Sequence, residues 1–159
     1  RPQQNYPEHG QRFTGDPAYF KHITEAGKHL MQASHTTPAD YKYAVFHQPN
    51  TKFPQRVAGM LGFSKEQCKT GLLSPVIGNT YAGASMIGMT AILDEAEPGD
   101  RILLVSFGSG AGSDAMDLTV TDKILERRDS ALKTQDYIAR RTEIDYASYT
   151  RQRGKLTML

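Results

Sequence analysis

The stretch that most constrains the fold is Tyr43-Ala-Val-Phe-His47-Gln-Pro-Asn-Thr-Lys52. The unbroken apolar run from Tyr43 to Phe46 reads as a strand buried on both faces, as in a sheet with helices packed on each side. Pro49 and Asn50 then stop the strand and open a turn. His47 stands at that carboxyl end, where open α/β sheets hold their ligands. A histidine satisfied within the core is the competing reading of a lone imidazole. A second apolar run, Arg101-Ile-Leu-Leu-Val-Ser106, repeats the pattern and enters the glycine-rich stretch Gly108-Ser109-Gly110-Ala-Gly112. An α/β protein with a mixed β-sheet is expected.

Around these strands the pattern predicts helices. Asp16 and Pro17 mark a helix start, with Asp16 as N-cap and Pro17 at the first helical position. The helix runs to about Ser34, and Tyr19, Phe20, Ile23, Ala26, Leu30 and Ala33 form its buried stripe. A strand over residues 41–48 precedes a helix from about Phe53 or Pro54 to Leu61, closed by Gly62. Ser64-Lys-Glu-Gln67 opens a short helical turn. Residues 71–78 read as a short strand or extended segment. Residues 81–97 read as a helix that is apolar all round through Leu93 and therefore buried, its glycines implying close packing against another backbone. The glycine-rich stretch is expected to be a hairpin turn before a strand over 117–121. It lacks the Gly-Lys-Ser/Thr ending of a phosphate-cradling loop. Short helices over 122–128 and 134–141 complete the chain, with Tyr137, Ile138, Ile144, Tyr146 and Tyr149 as anchors packing onto the domain. Residues 1–15 read as an extended arm and 16–159 as one domain.

Composition removes several classes of function. With 19 basic against 17 acidic residues and no long charge run, the chain lacks a nucleic-acid footprint, although a pI near 8.7 suits anionic small ligands. The sole cysteine, Cys68, cannot form an internal disulfide and fits a reducing cytoplasm. Nothing around it suggests an activated thiol. The apolar stretch 82–93 is too short to cross a membrane. His22, His29 and His35 have no cysteine or carboxylate to complete a zinc site and are expected at the surface. The basic residues Arg140, Arg141, Arg151, Arg153 and Lys155 read as a solvated tail. Because the first residue is Arg1 rather than Met, the chain is expected to begin inside a longer coding sequence or after processing.

Three blocks taken together, His47-x-Pro49-x-x-Lys52, Gly78-Asn79-Thr before a small-residue helix, and Ser106-Phe-Gly-Ser-Gly110, resemble the C-terminal half of the thiolase superfamily. The third block and Lys52 resemble the hydroxymethylglutaryl-CoA synthases in particular. Residues 10–22 and 149–155 resemble the archaeal-type members. The resemblance implies the C-terminal half of a thiolase-like fold, a mixed sheet with a buried central helix and flanking helices. It also implies a Claisen-type condensation of acetyl-CoA with acetoacetyl-CoA in the mevalonate pathway, without cofactor or metal. His47 and Asn79 would be catalytic. Lys52, Arg56, Tyr81, Gly108 and Ser109 would bind substrate or CoA. The family's nucleophilic cysteine and glutamate base belong to its N-terminal half, so the resemblance implies that half as a partner, with a dimer mate and, in archaeal-type relatives, a thiolase and a small bridging protein. A type III ketoacyl synthase or ketothiolase-like enzyme is the alternative condensing enzyme. A non-catalytic acyl-CoA-binding or scaffolding subunit is the third reading.

Overall fold

At the centre of the protein, a computed structural model that describes residues 15–108 and 112–155, two parallel strands lie side by side. β1 (Tyr43–Phe46) pairs with β2 (Arg101–Val105) in the register Tyr43↔Ile102 to Phe46↔Val105. β2 also pairs with antiparallel β3 (Ala115–Thr119), the next strand in the chain, giving the sheet order β1-β2-β3. The hairpin expected between the two is present, braced by Gly108 N–H donating to the Gly112 carbonyl at 3.0 Å. Every residue of β1 is buried, as its unbroken apolar run requires.

One face of the sheet presents Ala44, Phe46, Leu103 and Val105 to α1 (Ala18–Ala33) and α2 (Lys52–Leu61). These helices contribute Tyr19, Phe20, Ile23, Val57, Ala58 and Leu61 to the larger core cluster. Gly62 closes α2 in the left-handed region (φ 88°), a conformation glycine adopts without Cβ strain. α3 (Lys65–Lys69) starts on a reciprocal capping box between Ser64 and Gln67, as the sequence predicts.

The other face presents Tyr43, Val45, Ile102 and Leu104 to α5 (Ala84–Leu93), which supplies Ile92 to a second, smaller cluster. α5 is preceded by a 3-10 turn at Tyr81–Gly83 and is shorter than the helix expected over 81–97. Ala84, Ser85, Gly88, Ala91 and Ile92 are buried, while Met86 is 55% exposed on the opposite side. α6 (Lys123–Arg127), α7 (Thr134–Ala139) and α8 (Tyr146–Gln152) follow β3. Polar contacts pin the α6–α7 part of this segment to the residues that follow α5. Thr134 N–H donates to Asp94 at 2.6 Å, Arg128 pairs with Glu97 at 3.2 Å, and the Arg128 guanidinium also donates to the Ala96 carbonyl.

Three expectations are corrected. Residues 74–77 form a helical turn, α4 (Ser74–Ile77), rather than an extended segment. Asp16 does not cap α1; Pro17 occupies the N-cap position without a side-chain cap, and the Asp16 carboxylate lies 3.5 Å from Arg56. Of the expected tail anchors only Ile138 is partly buried; Tyr137, Ile144, Tyr146 and Tyr149 are all substantially exposed, Tyr146 at 79%. The arm expected over residues 1–15 lies, but for Gly15, outside the described residues.

Candidate active site

His47 extends β1 by one residue, its N–H donating to the Val105 carbonyl at 2.9 Å. Its own carbonyl accepts from the Tyr19 hydroxyl of α1. Its backbone is therefore fixed from the neighbouring strand and from the covering helix. His47 is 8% exposed, with the Tyr19 and Phe107 rings 6.2 and 5.9 Å from its imidazole, centroid to centroid. Burial in this aromatic surround lowers its pKa below the usual 6.5, so the ring is neutral at physiological pH. A neutral imidazole offers one N–H donor and one lone pair, which suits it to holding a carbonyl oxygen while a proton moves. His22, expected at the surface, is half-buried, with its ring 6.5 Å from that of Phe107.

Asn79 lies exposed in the turn between α4 and α5, where its Oδ1 accepts from the Tyr81 N–H at 2.8 Å. This leaves Nδ2 as the donor end of the amide. Tyr81 is 77% exposed and has a positive φ of 52°. Lys52 opens α2 from an exposed position, its helix start secured by Asn50 Oδ1 accepting from the Phe53 N–H at 2.9 Å. Arg56, one turn further on, stacks 4.3 Å over the Phe20 ring and reaches Asp16. Gly108 is exposed at the start of the hairpin turn. Ser109 lies outside the described residues. Among the described residues, no hydrogen bond joins His47 to Asn79, Lys52 or Arg56.

Sequence reasoning missed the side chains that surround the histidine. Tyr19 read only as part of a buried helix stripe and Phe107 only as part of the Ser106–Gly110 block, and their placement against His47 comes from packing. Gln48, 2% exposed, bonds to Gly71, Leu73, Ser74 and Ala84 at once. The only signal for it was a polar residue beside the histidine in an apolar strand. Cys68 is buried, and desolvation pushes its thiol up to about 12, in keeping with its reading as inert. Among the described residues no group of His, Cys, Asp and Glu is placed to hold a metal ion. No helix among them is long and apolar enough to cross a membrane.

Residues 31–120 match the family of 3-oxoacyl-[acyl-carrier-protein] synthase III C-terminal domains. The chain belongs to this family. It is also 59% identical over 152 residues to a hydroxymethylglutaryl-CoA synthase of Methanocella arvoryzae, covering 96% of this chain. A hydroxymethylglutaryl-CoA synthase of Thermococcus kodakarensis is likewise 59% identical, over 155 residues. The chain spans 44% of the length of each of these relatives. A solved HMG-CoA synthase in complex with CoA superposes with a TM-score of 0.65 at 22% identity, over 84% of this chain and 37% of that one. That likeness establishes the thiolase-like α/β fold with its small mixed sheet.

Proposed function

We propose that this chain is the C-terminal part of a hydroxymethylglutaryl-CoA synthase, which condenses acetyl-CoA with acetoacetyl-CoA and water to give 3-hydroxy-3-methylglutaryl-CoA and free CoA. The observation that carries the reading is the 59% identity, running through 96% of the chain, to a relative of that name. The buried, neutral histidine at the strand end supports it from chemistry.

In this reading an acetyl group is carried as a thioester on a cysteine of the N-terminal half; the glutamate base of that half takes a proton from its methyl carbon, which attacks the ketone of acetoacetyl-CoA, and the resulting alkoxide is then protonated. A carbon–carbon bond forms, negative charge develops on the former ketone oxygen, and water later releases the acyl-enzyme. His47 hydrogen-bonds to the carbonyl of the second substrate and orients it. The Asn79 amide supplies an uncharged donor beside it. Lys52 and, through an anionic phosphate, Arg56 contact CoA from the start of α2. Tyr81 contributes to substrate binding, and Gly108 with Ser109 lines the acyl site, where a glycine lets the backbone approach closely. The reaction needs no cofactor beyond the two thioester substrates. The N-terminal half of the same enzyme is the required partner. A dimer mate, a thiolase and a small bridging protein are further partners, and the cytoplasm is the compartment.

A type III ketoacyl synthase is the second reading, favoured by the family match over residues 31–120. One experiment separates the readings. The chain is purified under native conditions, incubated with acetyl-CoA and weighed by denaturing mass spectrometry. A co-purifying polypeptide that gains one acetyl group, followed by condensation with acetoacetyl-CoA, supports the synthase. Condensation only with a malonyl carrier protein supports the second reading. A chain that stays alone and unmodified makes it a binding or scaffolding subunit. His47→Ala is expected to impair condensation more than acetylation.

A further inference from the structure

The reading above uses His47 and Asn79 and gives no task to the buried side chain that stands between them. A side-chain amide buried to the extent of Gln48 must have its polar atoms satisfied inside the protein. Its Nε2 donates to the Gly71 carbonyl at 2.7 Å and to the Ala84 carbonyl at 3.1 Å. Its Oε1 accepts from the Leu73 and Ser74 N–H groups at 2.7 and 2.8 Å. Two donors and two lone pairs are thus all used. The partners belong to the loop before α4, the first turn of α4, and the first residue of α5. Asn79 lies on the stretch between the last two. Both ends of the segment that carries Asn79 are therefore tied to the residue that follows His47.

Packing allows this knot little freedom. A Cβ placed on Gly88 of α5 would lie 2.5 Å from the Gly71 carbonyl oxygen, 2.6 Å from Val45 Cγ2 and 3.0 Å from Gln48 Nε2. Helix, loop and strand already touch backbone to side chain. An asparagine, one methylene shorter, could not bridge the same partners on both sides.

The geometry points to Gln48 as the positioning residue that holds His47 in register with the Asn79 segment for the condensation step. This rests on the function proposed above. Gln48 acts through the backbone it organises, so its loss moves the two catalytic side chains apart without removing either. Acetyl transfer to the N-terminal half does not need that register.

The test uses the assembled enzyme, this chain with the acetylated half, and the near-isosteric Gln48→Glu. The carboxylate keeps the two accepted bonds and loses the two donated ones, leaving the Gly71 and Ala84 carbonyls unpaired. Condensation is expected to fall roughly 100-fold, as for a displacement near 1 Å, while acetyl-enzyme formation stays within about threefold. Lowering the pH should restore part of the condensation rate relative to wild type, because the introduced carboxyl regains a donor when protonated. Equal loss of both half-reactions, including failure to assemble, would show that Gln48 only maintains the fold and overturns the proposal. An unchanged condensation rate overturns it too. If the wild-type assembly itself acetylates but does not condense, the proposed function fails, and this inference falls with it.

Discussion

The two faces of the sheet are built from equally apolar strands yet are covered in opposite ways. Ala44, Phe46, Leu103 and Val105 meet α1 and α2, whose apolar residues form one stripe and whose other sides are wet. Tyr43, Val45, Ile102 and Leu104 meet α5, which is apolar all round and leaves Met86 in the open. An amphipathic helix finishes a core, whereas a wholly apolar one hands its remaining surface to a further layer. The first face is thus self-sufficient, and the second is made to be built upon.

Substitutions can break this contrast at its strongest point first. Phe46→Ala, deep in the self-sufficient face, should destabilise the chain by about 4 kcal/mol in denaturant unfolding. Gly88→Ala should cost about 3 kcal/mol by overpacking α5 against β1, and the same titration reads it. Asp117→Asn weakens the bidentate pair with Arg101, held at 2.7 and 2.5 Å, to a single neutral acceptor, and should lower the unfolding midpoint by less than either core change in the same titration. Met86→Gln should change the stability of the chain alone by less than about 0.5 kcal/mol. Under the function proposed above, it should nevertheless weaken association with the N-terminal half about tenfold, measured by calorimetric titration. If stability and association changed together, α5 would not present a separate docking face.

A separate effect is that of pH. Burial depresses the pKa of His47 in the folded chain, so the unfolded chain takes up its proton first as pH falls. Above pH 6.5 this group makes no difference to stability. Below 6.5 it erodes stability, by at most about 1.4 kcal/mol per pH unit, until the folded ring also titrates. His47→Asn should flatten that part of the unfolding profile.

The strands, the two principal cores, the Gly62 stop and the Ser64 box were legible because each is encoded within a few neighbouring residues. What escaped was settled over long distances. α4 reads as extended because its opening N–H groups are satisfied by Gln48, 25 and 26 residues earlier in the chain, and not by a local cap. Asp16 reads as a cap, but its carboxylate is drawn to Arg56, 40 residues away. Tyr146 and Tyr149 are apolar enough to suggest packing, but their sequence cannot say whether the surface they would meet lies in this chain. At the candidate site, the position of His47 was visible from the strand ending at Phe46. Its aromatic surround and the Gln48 knot were not, since both arise from tertiary contacts.

The bond from the Tyr19 hydroxyl to the His47 carbonyl ties the histidine to a helix that begins 29 residues before it. The site consequently shares the fate of α1 in any partial opening. If α1 detaches while the sheet persists, the His47 carbonyl loses its donor and the ring loses its apolar wall, and water reaches both. Activity should then disappear at the temperature where amides of α1 begin to exchange freely with solvent, before those of β2 do.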